Sequence, residues 1–175
     1  MEHKTFTFTR VSPLRTVLLD IHDHPVYKVE TPFKWVRPTT TISRYSGSYE
    51  QEMARIHWRF ARPSLLVFGG RVFESNTFLK KVGLLGISRK FQAPDGHEYK
   101  WVATPRWGMK LISNDGSRTL VARLFEGSTF TSKRKSRLEI FPAGIHMMDL
   151  IVVTLVYVDK IRRDRQQKPN TPLVL

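Results

Sequence analysis

The sequence contains no cysteine, which excludes disulfides, thiolate metal sites and cysteine nucleophiles. The N-terminus lacks the apolar segment of a secretory signal peptide, and no Asn-x-Ser/Thr sequon occurs. The Gly-x-Ser-x-Gly motif of many hydrolases and the Gly-x-x-x-x-Gly-Lys phosphate loop are also missing. We therefore expect an intracellular chain, cytoplasmic or peripheral to a membrane, with no cofactor and no catalytic motif.

Acidic residues are scarce, because 15 Asp and Glu oppose 29 Lys and Arg and the formal net charge is +14. A basic surface attracts polyanions whatever the fold. The candidate partners are anionic phospholipid headgroups, nucleic acid and acidic proteins, and an ordinary solvated surface is the alternative. At 175 residues the chain fits one domain that needs no metal for stability.

Long hydrophobic runs are missing too, and the most apolar segment is residues 150–158. Nine helical residues rise about 14 Å, against a hydrocarbon core of about 30 Å, so the segment is too short to span a membrane. Its β-branched residues favour a buried strand. Asp149 before it and the cations Lys160, Arg162 and Arg163 after it favour a helix. We predict a helix that is enclosed on all sides, because a surface helix would carry a polar stripe.

Long helical periodicity is missing between Thr5 and Phe141. Short runs rich in β-branched and aromatic residues, separated by Pro, Gly and Asp-Gly, predict antiparallel strands there. The predicted strands are residues 6–10, 16–21, 26–29, 39–45, 53–60, 65–68, 71–74, 87–92, 98–103, 109–113, 120–125 and 137–141. Residues 33–36 are a candidate for a further short strand, and 78–81 form either a short edge strand or a loop.

Two of these patterns predict local detail. In 53–60 the alternation puts Ile56, Trp58 and Phe60 on one face and basic residues on the other. The Gly69-Gly70 pair suits a two-residue primed turn between neighbouring strands.

About twelve strands followed by an enclosed segment predict a mainly β fold with one helix. The arrangement that fits best is a closed antiparallel β-barrel around a C-terminal hydrophobic α-helix. A β-sandwich with the last segment as a core strand is the alternative. We expect one domain over residues 1–165, followed by a flexible C-terminal tail over 166–175.

Several blocks in order carry a family resemblance, and they are Arg89-Lys90-Phe91, Asp95-Gly96, Tyr99, Trp101, Leu120-Val121-Ala122, Leu138-x-Ile140 and Asp149-x-Ile151-Val152-x-Thr154-Leu155. Over residues 53–164 the chain resembles an uncharacterised fungal domain-of-unknown-function family grouped with the tubby C-terminal-like superfamily. This resemblance implies a roughly twelve-stranded closed barrel around a hydrophobic helix. In that superfamily tubby domains bind phosphoinositides and phospholipid scramblases act at membranes, whereas plant LURP-one-related members are largely unassigned. No catalytic residue carries over.

His22-Asp23-His24 has the spacing of a two-imidazole chelate if it lies on a strand, because alternate residues then point the same way. A third ligand is not apparent, and Pro25 favours a surface turn. We predict no metal site.

Two basic clusters are the candidate anion site. Lys133, Arg134, Lys135 and Arg137 lie among hydroxyl residues that can hydrogen-bond phosphate oxygens. A second patch is predicted from Lys80, Lys81, Arg89 and Lys90. We expect a non-enzymatic domain that binds phosphoinositide or another acidic phospholipid at a membrane surface. A nucleic-acid-binding module, or a small-ligand or enzyme site at the barrel mouth, is the alternative.

Overall fold

Helix α2 (Met148–Gln167) is surrounded by the rest of the chain. The computed structural model describes residues 3–33, 38–83, 88–104, 108–127 and 135–167, and within them every side chain from Leu150 to Asp159 is buried. This burial on all faces confirms the predicted enclosed helix. α2 continues through Gln167, two residues past the predicted domain boundary, and the predicted tail from residue 168 onward lies outside the described residues.

Within the described residues, thirteen antiparallel strands form one sheet. The strands are β1 (Lys4–Phe8), β2 (Thr16–Leu19), β3 (Pro25–Glu30), β4 (Thr39–Ser46), β5 (Tyr49–His57), β6 (Leu65–Phe68), β7 (Arg71–Glu74), β8 (Lys80–Val82), β9 (Ser88–Gln92), β10 (Glu98–Thr104), β11 (Gly108–Ser113), β12 (Leu120–Phe125) and β13 (Arg137–Ile140). A short helix, α1 (Ser75–Phe78), joins β7 to β8, and a 3-10 helix (Pro142–Met147) joins β13 to α2.

The order of the strands explains how the sheet ends. It runs from β7 back to β1, then from β13 back to β8. An antiparallel sheet reverses direction at every step, so thirteen strands leave the two edge strands, β7 and β8, running the same way. No hydrogen-bonded pairing joins these two strands in the described part of the chain, and a closed barrel is therefore not confirmed.

Aromatic side chains line the seam, which is the gap between β7 and β8. Phe78 of α1 lies between Phe73 of β7 and Phe91 of β9, with ring centroids 4.8 and 5.9 Å apart. A groove of about 460 Å³ follows the seam and is lined by these rings together with Lys80 and Lys90. Side-chain packing thus covers α2 where the hydrogen bonds stop.

Two aromatic contacts fix the height of α2 inside the sheet. Trp101 of β10 donates from Nε1 to Thr154 Oγ1 at 3.0 Å, so the polar group of each side chain is satisfied in the core. Trp58 stacks on Tyr157 with ring centroids 5.5 Å apart. Both Thr154 and Tyr157 are buried. These are the only residues with a polar side-chain atom in the predicted apolar run, and each has a partner ring, from Trp101 of β10 and from Trp58 just after β5.

Several sequence predictions need correction. The strand predicted over 53–60 is β5, which ends at His57, and Phe60 is fully exposed rather than in the core. Phe33 belongs to no strand, and the remainder of the candidate strand over 33–36 lies outside the described residues.

Other predictions are confirmed. The surface turn predicted at His22 to His24 is confirmed, and the backbone amides of His22 and His24 donate to Asp20 Oδ1 there. β6, β7 and β12 have the predicted bounds, 65–68, 71–74 and 120–125. Gly69 and Gly70 both have positive φ, 57° and 72°, as a primed hairpin turn requires. The sheet is antiparallel throughout, as predicted.

Candidate functional site

The connections between strands alternate between the two ends of the sheet, because consecutive strands run in opposite directions. One end holds the connections over residues 9–15, 31–38, 58–64, 83–87, 105–107 and 126–136. The other end holds those over 20–24, 47–48, 69–70, 93–97, 114–119 and 141–147. α2 starts at the second end, where Asp149 meets Tyr27 and Arg44, and finishes at the first.

These two ends have opposite charge. The connections at the first end contain ten Lys or Arg and one acid, a net formal charge of +9. Those at the second end contain four Asp and one Arg, a net of −3. We call them the basic end and the acidic end. A potential of one sign at one end attracts counter-charged ligands to that end.

The described cations at the basic end face solvent. Arg10, Arg59, Arg62 and Lys135 are all exposed, and within the described residues none of them forms an ion pair with an acid. Arg15 donates from Nε to the carbonyl oxygen of Thr31 at 2.8 Å. Five further cations of these connections, and no further acid, are at positions outside the described residues.

Two large apolar side chains are exposed at the same end. The exposed fractions are 74% for Phe33 and 110% for Phe60. Phe60 lies between Arg59 and Arg62 in the connection from β5 to β6. Exposed aromatic rings beside cations match the requirements of a membrane interface, where rings sit at headgroup level and cations meet anionic lipids.

Asp159 and Glu126, two acids at the basic end, form ion pairs with arginines of α2. Asp159 is buried and accepts from Arg162 Nη2 at 2.6 Å and from Arg163 Nε at 2.9 Å. Glu126 contacts the same two arginines at 3.1 and 2.8 Å. Burial alone would lower the pKa of Arg162, but Asp159 and Glu126 hold that pKa above its usual value. The network fastens the end of α2 and leaves the loop cations without acidic partners.

The first predicted cluster belongs to the basic end. Lys133 and Arg134 lie outside the described residues. Lys135 is exposed, and Arg137 starts β13 with its guanidinium 5.0 Å from the centroid of Phe125 and an ion pair to Glu139 at 2.9 Å. Arg137 is thus already held by neighbours, whereas Lys135 faces solvent.

The second predicted cluster is divided by the sheet. In the β8–β9 pairing Lys80 lies opposite Lys90, and Lys81 lies opposite Arg89. Successive residues of a strand point to opposite faces, so the two pairs face opposite ways. Lys90 points outward and pairs with Glu98 at 3.1 Å, whereas Arg89 is buried and faces α2. Strand pairing therefore gives two pairs of cations on different faces.

Sequence reasoning missed Arg10, Arg59, Arg62 and the exposed rings Phe33 and Phe60. They are isolated along the chain, so no cluster marks them. The signal that could have found them is the charge of every second connection, because alternate connections of an antiparallel meander meet at one end.

Around Asp95 the acidic end carries a small polar site. Asp95 Oδ2 accepts from Tyr99 Oη at 2.7 Å and lies 2.8 Å from His146 Nε2. Burial would raise the pKa of Asp95, but these bonds and the amide of His97 lower it overall. A pocket of about 150 Å³ beside it is lined mainly by apolar side chains. The described residues hold no cluster of three or more potential metal ligands.

Comparison with known proteins identifies the family. The model of a family of unknown function, DUF6593, matches residues 11–164. The chain belongs to this family. No curated protein matches it. A crystal structure of an Arabidopsis thaliana protein is similar in fold, with a TM-score of 0.55, 13% sequence identity and coverage of 92% of both chains. This similarity shows the fold alone. No helix in the described part of this DUF6593 member is long and apolar enough to cross a bilayer.

Proposed function

We propose that the basic end binds acidic phospholipid at a membrane surface, with phosphoinositides as the preferred class of headgroup, and that the protein acts there without catalysis. The observation that carries this proposal is the segregation of charge, with a net of +9 in the connections at one end and −3 at the other. Each cation near an anionic membrane contributes about 1 kcal/mol to binding. A single charged end also gives the protein one orientation on the surface.

The exposed aromatic rings favour a lipid surface over a soluble polyanion. Phe33 and Phe60 project from the end that carries the cations. Burying an apolar ring between headgroups gains about 25 cal/mol per Å², and this gain does not depend on salt. We propose that both rings insert at the level of the headgroups while the loop cations contact phosphates.

The fold is compatible with this orientation. We propose that it is a variant of the tubby C-terminal-like barrel in which side chains, rather than hydrogen bonds, cover the seam, and that the family occurs in fungi. α2 ends at the basic end, so its last turn faces the proposed membrane.

The test is cosedimentation with vesicles that contain phosphatidylinositol phosphates, compared with vesicles of neutral lipid. The double variant Arg59→Glu/Arg62→Glu changes the charge of the basic end by four units and alters only exposed side chains. Binding should fall by at least two powers of ten, since 1.4 kcal/mol is a factor of ten. Added salt should reduce the difference because it screens charge.

A matched control lies at the acidic end. Arg71→Glu/Arg118→Glu makes the same change of charge at exposed residues of that end, and binding should fall far less. Phe60→Ser should weaken binding about tenfold even at high salt. Equal binding by both double variants, or wild-type protein that ignores acidic vesicles at low salt, would contradict the proposal. Tighter binding to single-stranded nucleic acid than to vesicles would replace lipid with that polyanion.

A further inference from the structure

Arg89 of β9 is a buried cation without an acid. Its side chain is 2% exposed and, like that of Phe91, points toward α2. The Nε and Nη1 atoms are buried and have no hydrogen-bond partner. They are the only buried side-chain polar atoms without a partner in the described part of the chain. Folded proteins rarely leave such groups unsatisfied, and those that do commonly bind water or an ion there.

A second buried arginine, Arg162, differs from Arg89 in that acids neutralise its charge. Arg162 is 4% exposed, and Asp159 and Glu126 lie 2.6 and 3.1 Å from its Nη2. No carboxylate of the described residues forms an ion pair with Arg89. A buried arginine without an acidic partner is strongly destabilising. Arg89 has no such partner in the described residues, whereas Arg162 has two.

The surroundings of Arg89 add positive charge. Lys81 lies directly opposite it on β8. Burial lowers the pKa of Arg89, Tyr157 acts in the opposite direction, and Arg165 of α2 lowers that pKa further. Lys81 on β8 and Arg165 on α2 are both exposed and add positive charge at the surface beside the buried Arg89, which favours a group with two negative charges over a single carboxylate.

We propose that Arg89 is the centre of an internal oxyanion site that takes a phosphate group, with Lys81 and Arg165 as supporting cations. The guanidinium donates from Nε and Nη1 to phosphate oxygens, which satisfies both buried nitrogens. This site goes beyond the surface contact proposed above, because it needs no membrane. The phosphate is either free or the phosphomonoester of a soluble or lipid headgroup.

Thermal unfolding of the full chain tests the site without lipid. Inorganic phosphate should raise Tm over sodium chloride of equal ionic strength, by about 5 to 10 °C at a hundredfold excess over Kd. Titration calorimetry should give one site per chain. Arg89→Met removes the charge at similar length, so it should abolish the phosphate response. Arg71→Met, which removes an exposed cation at the acidic end, should keep the response of the wild type.

A measurement on the wild type covers the case in which Arg89→Met fails to fold. The Nε–H signal of Arg89 in a nitrogen–proton NMR spectrum, assigned by its loss in Arg89→Lys, should shift on addition of phosphate and saturate with the calorimetric Kd. An unmoved signal, or an equal phosphate response in wild type and Arg89→Met, would overturn the proposal. Either result would exclude phosphate as the partner of Arg89.

Two further ligands separate the sources of phosphate. If soluble inositol phosphate binds more tightly than inorganic phosphate and Arg89→Met removes that binding, the site takes a headgroup. If inorganic phosphate binds more tightly, the site takes free phosphate. If neither moves the Arg89 signal, the site is refuted even where vesicles still bind the basic end. Vesicle binding lost in Arg59→Glu/Arg62→Glu but phosphate binding retained would show that the two sites are independent.

Discussion

The basic end and the acidic end differ in what their charged groups contact as well as in sign. At the acidic end, Asp20 accepts from the amides of its own turn, Asp95 from Tyr99, and Asp115 from Ser113. At the basic end, the exposed arginines and lysine of the described connections have no acidic partner. The carboxylates therefore serve to build turns, whereas the cations remain available to a ligand.

The same contrast holds for the two acids that fasten α2. Asp149 at the acidic end has a side chain that is 32% exposed, where it accepts from Tyr27 and meets Arg44 at 3.1 Å. Asp159 at the basic end is 3% exposed and pairs with two arginines. Exposed ion pairs contribute little, but a buried pair leaves an uncompensated charge if one partner is lost. The basic end should therefore be the more sensitive anchor.

The largest expected effect tests whether both ends depend on a common core. Val153 is 1% exposed in the enclosed part of α2. Val153→Asp puts an unpaired carboxyl group there at a cost of several kcal/mol, against a total stability of about 5 to 15. We expect no cooperative unfolding transition in circular dichroism melts.

Val153→Thr is its control, because a threonine hydroxyl can bond the helix backbone as Thr154 does to Leu150 at 2.8 Å. This variant should fold with a loss of about 1 to 2 kcal/mol. A soluble Val153→Asp protein that melts cooperatively would refute the enclosure of α2.

The next effect compares the two anchors directly. Asp159→Asn leaves Arg162 and Arg163 with Glu126 as their remaining acid, and should lower the free energy of unfolding by about 3 to 5 kcal/mol. Asp149→Asn should lower it by about 1 to 2 kcal/mol, since its ion pair is half-exposed. Urea unfolding of both variants measures the difference. If the two losses are equal, the burial of Asp159 has no special weight.

Much of this architecture was accessible from the sequence. Three strands match to the residue, because Gly69-Gly70 and Asp115-Gly116 interrupt β-branched runs sharply. The helix was accessible because its apolar run begins and ends at charges that suit a helix dipole. Phe60 was misassigned because strict alternation continues past the point at which β5 stops pairing with β6 at His57. Alternation alone does not report where a partner strand ends.

The segregation of charge between the two ends could not be predicted from the sequence, because it depends on the exact number of strands. Each strand reverses the chain, so one strand too many exchanges the ends of every later connection. A strand over 33–36 would place Arg59 and Arg62 at the end opposite Arg10, and the charges would mix. Arg89 did carry a signal, since it is two residues from Phe91 and alternate residues share a face. Its neighbour Lys90 indicated an exposed basic patch, although the two-residue alternation indicates that Arg89 shares the buried face of Phe91.

The smallest expected effect concerns Tyr99 at the acidic end. It is measured as the change in the free energy of unfolding at alkaline pH. Burial, followed by the hydrogen bond to Asp95, raises the pKa of Tyr99 to about 12, against 10.0 in the unfolded chain. The folded state thus favours the protonated phenol, so its contribution is complete below pH 10 and is lost between pH 10 and about 12.

Tyr99→Phe removes this titration. Its free energy of unfolding should fall less than that of the wild type between pH 10 and 12, although Tyr27, whose pKa is also raised, adds a common decline in both proteins. At pH 7 the variant should lose about 1 kcal/mol for the missing hydrogen bond. Vesicle binding should not change, because the hydroxyl lies at the end away from the proposed membrane. Parallel pH curves for the two proteins would show that neither burial nor the bond to Asp95 raises the pKa of Tyr99 in solution.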